Sequence, residues 1–269
     1  MSNSGVSLKR KQEVGERVKY VLGRYFTSAF PGLSVDQVKP IALALLYYES
    51  RLNNTRTAVT GSPDKSFLAS SAYKAIIASQ DSVKISAMTR AATLVYGVMQ
   101  VRGSYLVKGG SSTGVSEVER IRPDIASIVC VNAGDSVEDR ILGESNLEHA
   151  IMAGLAVLQG KYASIPSIMK PDGKGGFLYT RSNLRFPSRI SAAVGAYLGL
   201  SGSDVNGTTA QVYASSIIGG EAYITANSYD PTAKYPDSGV GQDNRGATQV
   251  ATGPSTTGAG QDRVTPVDC

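Results

Sequence analysis

The sequence predicts a mainly α domain with minor β structure, and three observations predict it. Apolar residues recur at helical spacing in five separate segments. The breaks between these segments are Gly-, Ser- and Pro-rich rather than alternating strands. From about Ala226 the composition turns to Gly, Thr, Ser, Asp, Asn and Pro, too polar to bury a core of its own. A length of 269 residues suits one large domain with appendages. Apolar content of 42% and charged content of 18% are those of an ordinary globular chain rather than a wholly disordered one.

Taken in order, residues 1–12 read as a polar, basic lead-in. Val14, Val18, Val21/Leu22 and Tyr25/Phe26 form the first helical stripe, which Phe30-Pro31-Gly32 ends. Ser34 and Gln37 have the spacing of a capping box, so a helix starts there; Pro40 predicts a kink or restart inside it. That helix runs to about Leu52 with a stripe of Val38, Ala42, Leu45, Glu49 and Leu52, which puts a carboxylate on the face that should be buried. Asn53 to Lys65 is polar, and helices are expected over about 66–79 and 81–95. Gly103 to Gly114 reads as a loop. Residues 116–145 are mixed, and the run Ile125 to Val131 fits a strand or a helix equally. Leu147, Ile151, Leu155 and Leu158 mark a further helix. Pro166 to Phe177, with Asp172-Gly173-Lys174-Gly175-Gly176, reads as a turn or hairpin-like loop. Ile190 to Leu200 and Ala210 to Ile218 are two Ala-rich helical segments. The domain division is 1–32 for the lead-in and first helix, 33–225 for the principal domain, and 226–269 for an extended tail.

The net charge is +5. From Ala226 onward there are five Asp and three Lys/Arg, or −2, which leaves +7 on the rest of the chain. A basic body attracts anionic polymers over a distance and also keeps a protein soluble. No nucleic-acid partner is expected, because aromatic and basic residues are not interleaved as a stacking platform requires. Cys130 and Cys269 cannot form a disulfide framework and read as free thiols; with one His they make a Cys/His metal site unexpected. No metal or cofactor is expected. No run of apolar residues reaches the length of a signal peptide or a membrane span, so export by some other route is expected.

Phosphate-loop and nucleophile-elbow motifs are missing. His149, on the helix from Leu147, reads as structural or solvated. Glu49 stands out. Desolvation of a carboxyl on an apolar helix face disfavours its charged form, and a Glu so tuned can hold a proton near neutral pH and donate it to a glycosidic oxygen. The same position also suits a helix-terminal Glu that turns to solvent.

Four segments around it resemble the lysozyme-like lytic transglycosylase family, in the family's order. Glu49-Ser50-Arg51-Leu52-Asn53 is similar to the family's segment at the catalytic glutamate, and Tyr96-Gly97-Val98-Met99-Gln100-Val101 to its Gly-Leu-Met-Gln segment. Asn146-Leu147 with Gly154-Leu155-Ala156-Val157-Leu158 is similar to its Asn-Ile…Gly…Tyr-Leu helix. Ala192 to Gly199 resembles its Ala-Tyr-Asn-Ala-Gly segment, and Val212-Tyr213…Ile217 its closing helix. The resemblance spans about residues 33–218, with 54–92 and 102–140 as insertions. Two departures stand out: Leu198 takes the place of the family's Asn, and Val157 that of its Tyr.

The resemblance implies an α+β lysozyme-like fold and a peptidoglycan lytic transglycosylase that cleaves the β-1,4 bond after N-acetylmuramic acid. Glu49 would be the catalytic acid, and Ser50, Gly97, Met99, Gln100 and Tyr197 would meet substrate, although Met99 reads first as a core side chain. The missing signal, the insertions and the tail suit a component of a bacteriophage particle. Its partners would be glycan strands and, through the tail, other tail or ejection proteins. The alternative is a structural virion protein whose lysozyme-like domain is inactive.

Overall fold

The structure, a computed structural model, describes residues 5–60, 62–200 and 208–233. It is mainly helical with two small sheets, as the apolar periodicity predicts. Helix α1 is Leu8–Tyr25 and α2 is Val35–Ser50. Strand β1 (Thr57–Val59) follows, then α3 (Lys65–Ala69), α4 (Ser71–Ala78) and α5 (Ser82–Thr93). Strands β2 (Leu94–Tyr96) and β3 (Val101–Arg102) lead into α6 (Glu117–Ile121), α7 (Pro123–Val129) and α8 (Val137–Ile141). The long α9 (Leu147–Ile168) is followed by β4 (Lys170–Pro171), β5 (Phe177–Tyr179) and β6 (Leu184–Phe186). Helices α10 (Arg189–Leu198), α11 (Ala210–Ile217) and α12 (Glu221–Ala226) complete the described chain.

Local chemistry sets several of these boundaries. The lead-in is shorter than expected because Ser7 caps α1 by accepting from the Arg10 amide, so residues 8–12 are helical. Ser34 and Gln37 form the expected capping box. Helix α2 then runs through Pro40 without a break, although Pro40 cannot donate to the preceding turn. The run from Ile125 resolves as helix, with Pro123 in its first turn.

Two helices organise the core. Helix α2 packs against α1, α11 and α12, and α9 against α1, α6, α7, α8 and α10. From Pro40 to Tyr47 every residue of α2 is buried, so this helix lies inside the molecule rather than along its surface. The segment expected to begin an extended tail is fastened to the body. Asn227 is buried and its Nδ2 donates to the Pro40 carbonyl at 3.1 Å, and Asp230 pairs with Lys39. Residues 234–269 of the expected tail, and Cys269 with them, lie outside the described residues. Among the described residues no helix is long and apolar enough to cross a membrane.

Candidate active site

Glu49 occupies the last turn of α2, half-buried. Beyond Ser50 the backbone turns sharply: Arg51 and Leu52 both adopt left-handed conformations, at φ 55° and 60°. Such a conformation costs a residue with a Cβ about 1–2 kcal/mol. The turn is held from both sides. The Arg51 guanidinium lies 4.5 Å from the Tyr47 ring centroid, and Leu52 is buried. Arg10 of α1 caps the Leu52 carbonyl twice, with Nη2 at 2.9 Å and Nε at 3.3 Å, while Nη1 and Nη2 also donate to the Glu144 carboxylate.

The Gly97–Gln100 segment is the turn of the β2–β3 hairpin, in which Tyr96 pairs with Val101. Four bonds tie it to the end of α2 and the residues that follow. Ser50 Oγ donates to the Val98 carbonyl at 2.9 Å. The Val98 amide donates to Asn54 Oδ1 at 3.0 Å, and the Gly97 amide to the Arg56 carbonyl at 2.9 Å. Gln100 Nε2 donates to the Arg56 carbonyl at 3.1 Å. Asn54 Nδ2 extends the network to the carbonyls of Ile141 and Gly143. The segments carrying Glu49 and Gly97 are thus one structural unit.

Within that unit Ser50, Gly97 and Met99 have structural partners of their own. Ser50 is buried, and its hydroxyl is committed to the Val98 and Leu46 carbonyls, so it braces α2 against the hairpin. Gly97 has φ 74°, and a Cβ there would come within 2.9 Å of Ile141 and 3.1 Å of Ala150; it is required by close packing. Met99 is fully buried against Gly154 of α9, a core side chain. Gln100 is half-buried in a left-handed conformation and also donates to the Gly97 carbonyl.

Tyrosines surround the carboxyl. Tyr213 of α11 is fully buried and donates its hydroxyl to Glu49 Oε1. Its ring stands edge-on to that of Tyr48, with centroids 4.9 Å apart. Tyr197 of α10 donates to the Met99 carbonyl at 2.9 Å, which attaches α10 to the hairpin. Burial raises the Tyr197 and Tyr213 phenols well above the ordinary range, and the negative charge of Glu49 raises both further. Both phenols are therefore neutral hydrogen-bond donors at physiological pH.

Tyr48 was not singled out in the sequence, and Tyr213 entered only as part of the closing-helix resemblance, without a role at the site. A signal existed for Tyr213: Ala210, Tyr213, Ala214 and Ile217 form a buried stripe, which aims its hydroxyl inward where it needs a partner. His149 is elsewhere engaged, with Nδ1 3.1 Å from the Arg140 carbonyl. Among the described residues no three His, Cys, Asp or Glu side chains gather as a metal site would require. Cys130 is buried and free, and desolvation pushes its thiol up to about 12.

Fold and site together define a mainly helical protein with the Glu49 carboxyl held by a buried phenol at the end of its central helix. No protein-family model, curated protein or solved structure matches the chain.

Proposed function

We propose that this protein is a peptidoglycan lytic transglycosylase, with Glu49 as its acid and base. The observation that carries the reading is the Glu49 carboxyl, half-buried at a helix end, hydrogen-bonded by Tyr213 and close enough to Tyr197 to raise its phenol. Such a group is positioned to give a proton to the leaving glycosidic oxygen. The resemblance of the flanking segments supplies the substrate: glycan strands, cut at the β-1,4 bond between N-acetylmuramic acid and N-acetylglucosamine. In the second half of the reaction the Glu49 carboxylate takes the proton of the muramic acid 6-hydroxyl as that oxygen closes onto C1. The product is a 1,6-anhydro ring, and one glutamate serves both steps without the paired carboxylates of a hydrolytic glycosidase. Tyr213 keeps the carboxyl oriented, and Ser50, Gly97 and Gln100 keep the hairpin against it.

In this reading the protein travels in a phage particle and opens the host wall locally for genome ejection. The residues beyond 233 would join it to other virion proteins. Leu198, where the family carries Asn, favours a second reading: a structural virion protein with an inactive domain. Zymography on peptidoglycan separates the two. Wild-type protein should clear the gel, and Glu49→Gln, which keeps shape but cannot donate the proton, should lose about 10²–10⁴-fold of the rate. Clearing by Glu49→Gln at the wild-type rate would sink the assignment, and no clearing by wild type would leave the structural reading. Mass spectrometry of the released muropeptides should show anhydro ends.

A further inference from the structure

The sheet β4–β5–β6 has two unlike faces. Side chains alternate across a strand, so directly paired residues share a face. Lys170 pairs with Leu178, and Leu178 with Arg185, which sets these three in a row on one side. Pro171, Phe177 and Phe186 form the row on the other side. Phe186 is fully buried, and Phe177, Tyr179 and Leu184 pack against the core, so the row of Lys170, Leu178 and Arg185 faces outward. Both cations are exposed, and two strand spacings put their backbones about 10 Å apart.

Charge on this face is predominantly positive. Residues 170–185 carry Lys170, Lys174, Arg181 and Arg185, all exposed, against Asp172 alone. Asp172 is hydrogen-bonded into its own loop, accepting from the amides of Lys174 and Gly176 at 2.8 Å each, and its charge offsets only part of that of Arg185. None of the four cations forms an ion pair among the described residues, whereas Arg10, Arg17, Arg90, Arg120 and Arg122 all do.

The sheet is also joined to the candidate site. Gly195 of α10 leaves room for the Phe186 ring, so β6 sits directly on the helix that carries Tyr197. Ser182 Oγ donates to the Leu200 carbonyl at 3.2 Å, and β6 also packs on α11, which carries Tyr213.

We propose that the outward face of this sheet is a docking strip for the acidic stem peptides of peptidoglycan, with Lys170 and Arg185 as its carboxylate contacts and Leu178 as the apolar step between them. The proposal rests on the transglycosylase reading of Glu49. Stem peptides branch from the lactyl group of muramic acid, beside the bond to be cut, so a strand in the site would present their carboxylates to surrounding positive charge. A nucleic acid fits less well, because the aromatic rings of this sheet face the body and offer bases nothing to stack on.

The test uses the full chain carrying Glu49→Gln, so that strands survive. Fluorescence anisotropy compares glycan strands bearing stem peptides with strands stripped by an amidase, at low and high salt. Stripping should weaken binding about tenfold, and added salt should shrink that difference. A Lys170→Glu/Arg185→Glu pair should lose about the same factor on peptide-bearing strands and clearly less on stripped ones, which keep only the lactyl carboxylate of each muramic acid. The milder Lys170→Gln/Arg185→Gln pair, with an unchanged melting temperature, should show most of that loss and excludes damage to the sheet. Equal binding of peptide-bearing strands by the double variants and their parent overturns the docking strip, as does equally tight binding of duplex DNA. Zymography with Glu49 intact reads the catalytic assignment separately: clearing by wild type together with unaltered binding by the double variants would remove the strip and leave the enzyme.

Discussion

At the scale of single residues, the pairing of Tyr213 with Glu49 decides what the site can do. A buried phenol without a partner is costly, and a carboxylate at this depth is costly as well; each satisfies the other. Tyr213→Phe removes the bond and leaves the ring in its edge-on contact with Tyr48. A hydrogen bond to a charged group contributes about 1.5–3 kcal/mol, so activity on peptidoglycan should fall roughly 10- to 100-fold. A merely structural Tyr213 would instead show as a lowered melting temperature with the turnover of the folded protein unchanged. Sequence periodicity led to Glu49 because the stripe from Val38 to Leu52 is spaced as a helix. It could not lead to Asn54. Nothing local marks that residue as the one whose side chain joins the Val98 amide to the Ile141 and Gly143 carbonyls, since these partners are distant in sequence.

At the scale of elements, helices were legible and their mutual seating was not. The capping box at Ser34, the stripe from Leu147 and the two Ala-rich helices are written in local spacing. The family resemblance implied substrate contacts at Ser50, Gly97 and Met99, with Met99 read first as a core side chain. The packing that all three provide becomes visible only in the approach of α2, α9 and the β2–β3 hairpin. Gly154 shows how close that approach is. A Cβ there would fall on Met99 Sδ and within 2.7 Å of its Cγ, and the Met99 carbonyl is the acceptor for Tyr197. Gly154→Ala should therefore destabilise the protein by about 1–3 kcal/mol, as overpacking does, read as a lower urea midpoint at unchanged slope. Combination with Met99→Ala should restore part of the loss, because the two residues share one space. Purely additive losses in the double variant would show that the α9–hairpin contact does not set the stability.

At the scale of the whole molecule, composition spoke for a tail from about residue 226, yet Asn227 and Asp230 bind the body. A polar segment can dock by a few side-chain bonds without apolar periodicity, so no sequence pattern announces it. Composition likewise conceals how many titratable groups the fold buries in neutral form, and this sets the response to alkali. Burial raises Tyr96, Tyr197 and Tyr213 above the ordinary value of 10.0, with the charges of Glu138 and Glu49 adding to it. Burial lifts Cys130 from 9.0 to about 12. For each group the folded state holds its proton more tightly than the unfolded chain does. The stability so contributed is fully present below pH 9, declines as pH rises past the unfolded values, and is gone above the folded ones. The melting temperature should accordingly hold level from neutral pH to about 8.5 and drop steeply between about 9 and 12. Absorbance at 295 nm provides the check. The phenolate signal of Tyr96, Tyr197 and Tyr213 should appear together with the loss of helical circular dichroism and not before it. In a Cys269→Ser chain, Cys130 should stay unreactive toward a thiol reagent at pH 8 until denaturant is added. If all the tyrosines titrated near pH 10 with the helical signal intact, the three phenols would not be buried as described, and the positioning of Glu49 by Tyr213 would fall with them.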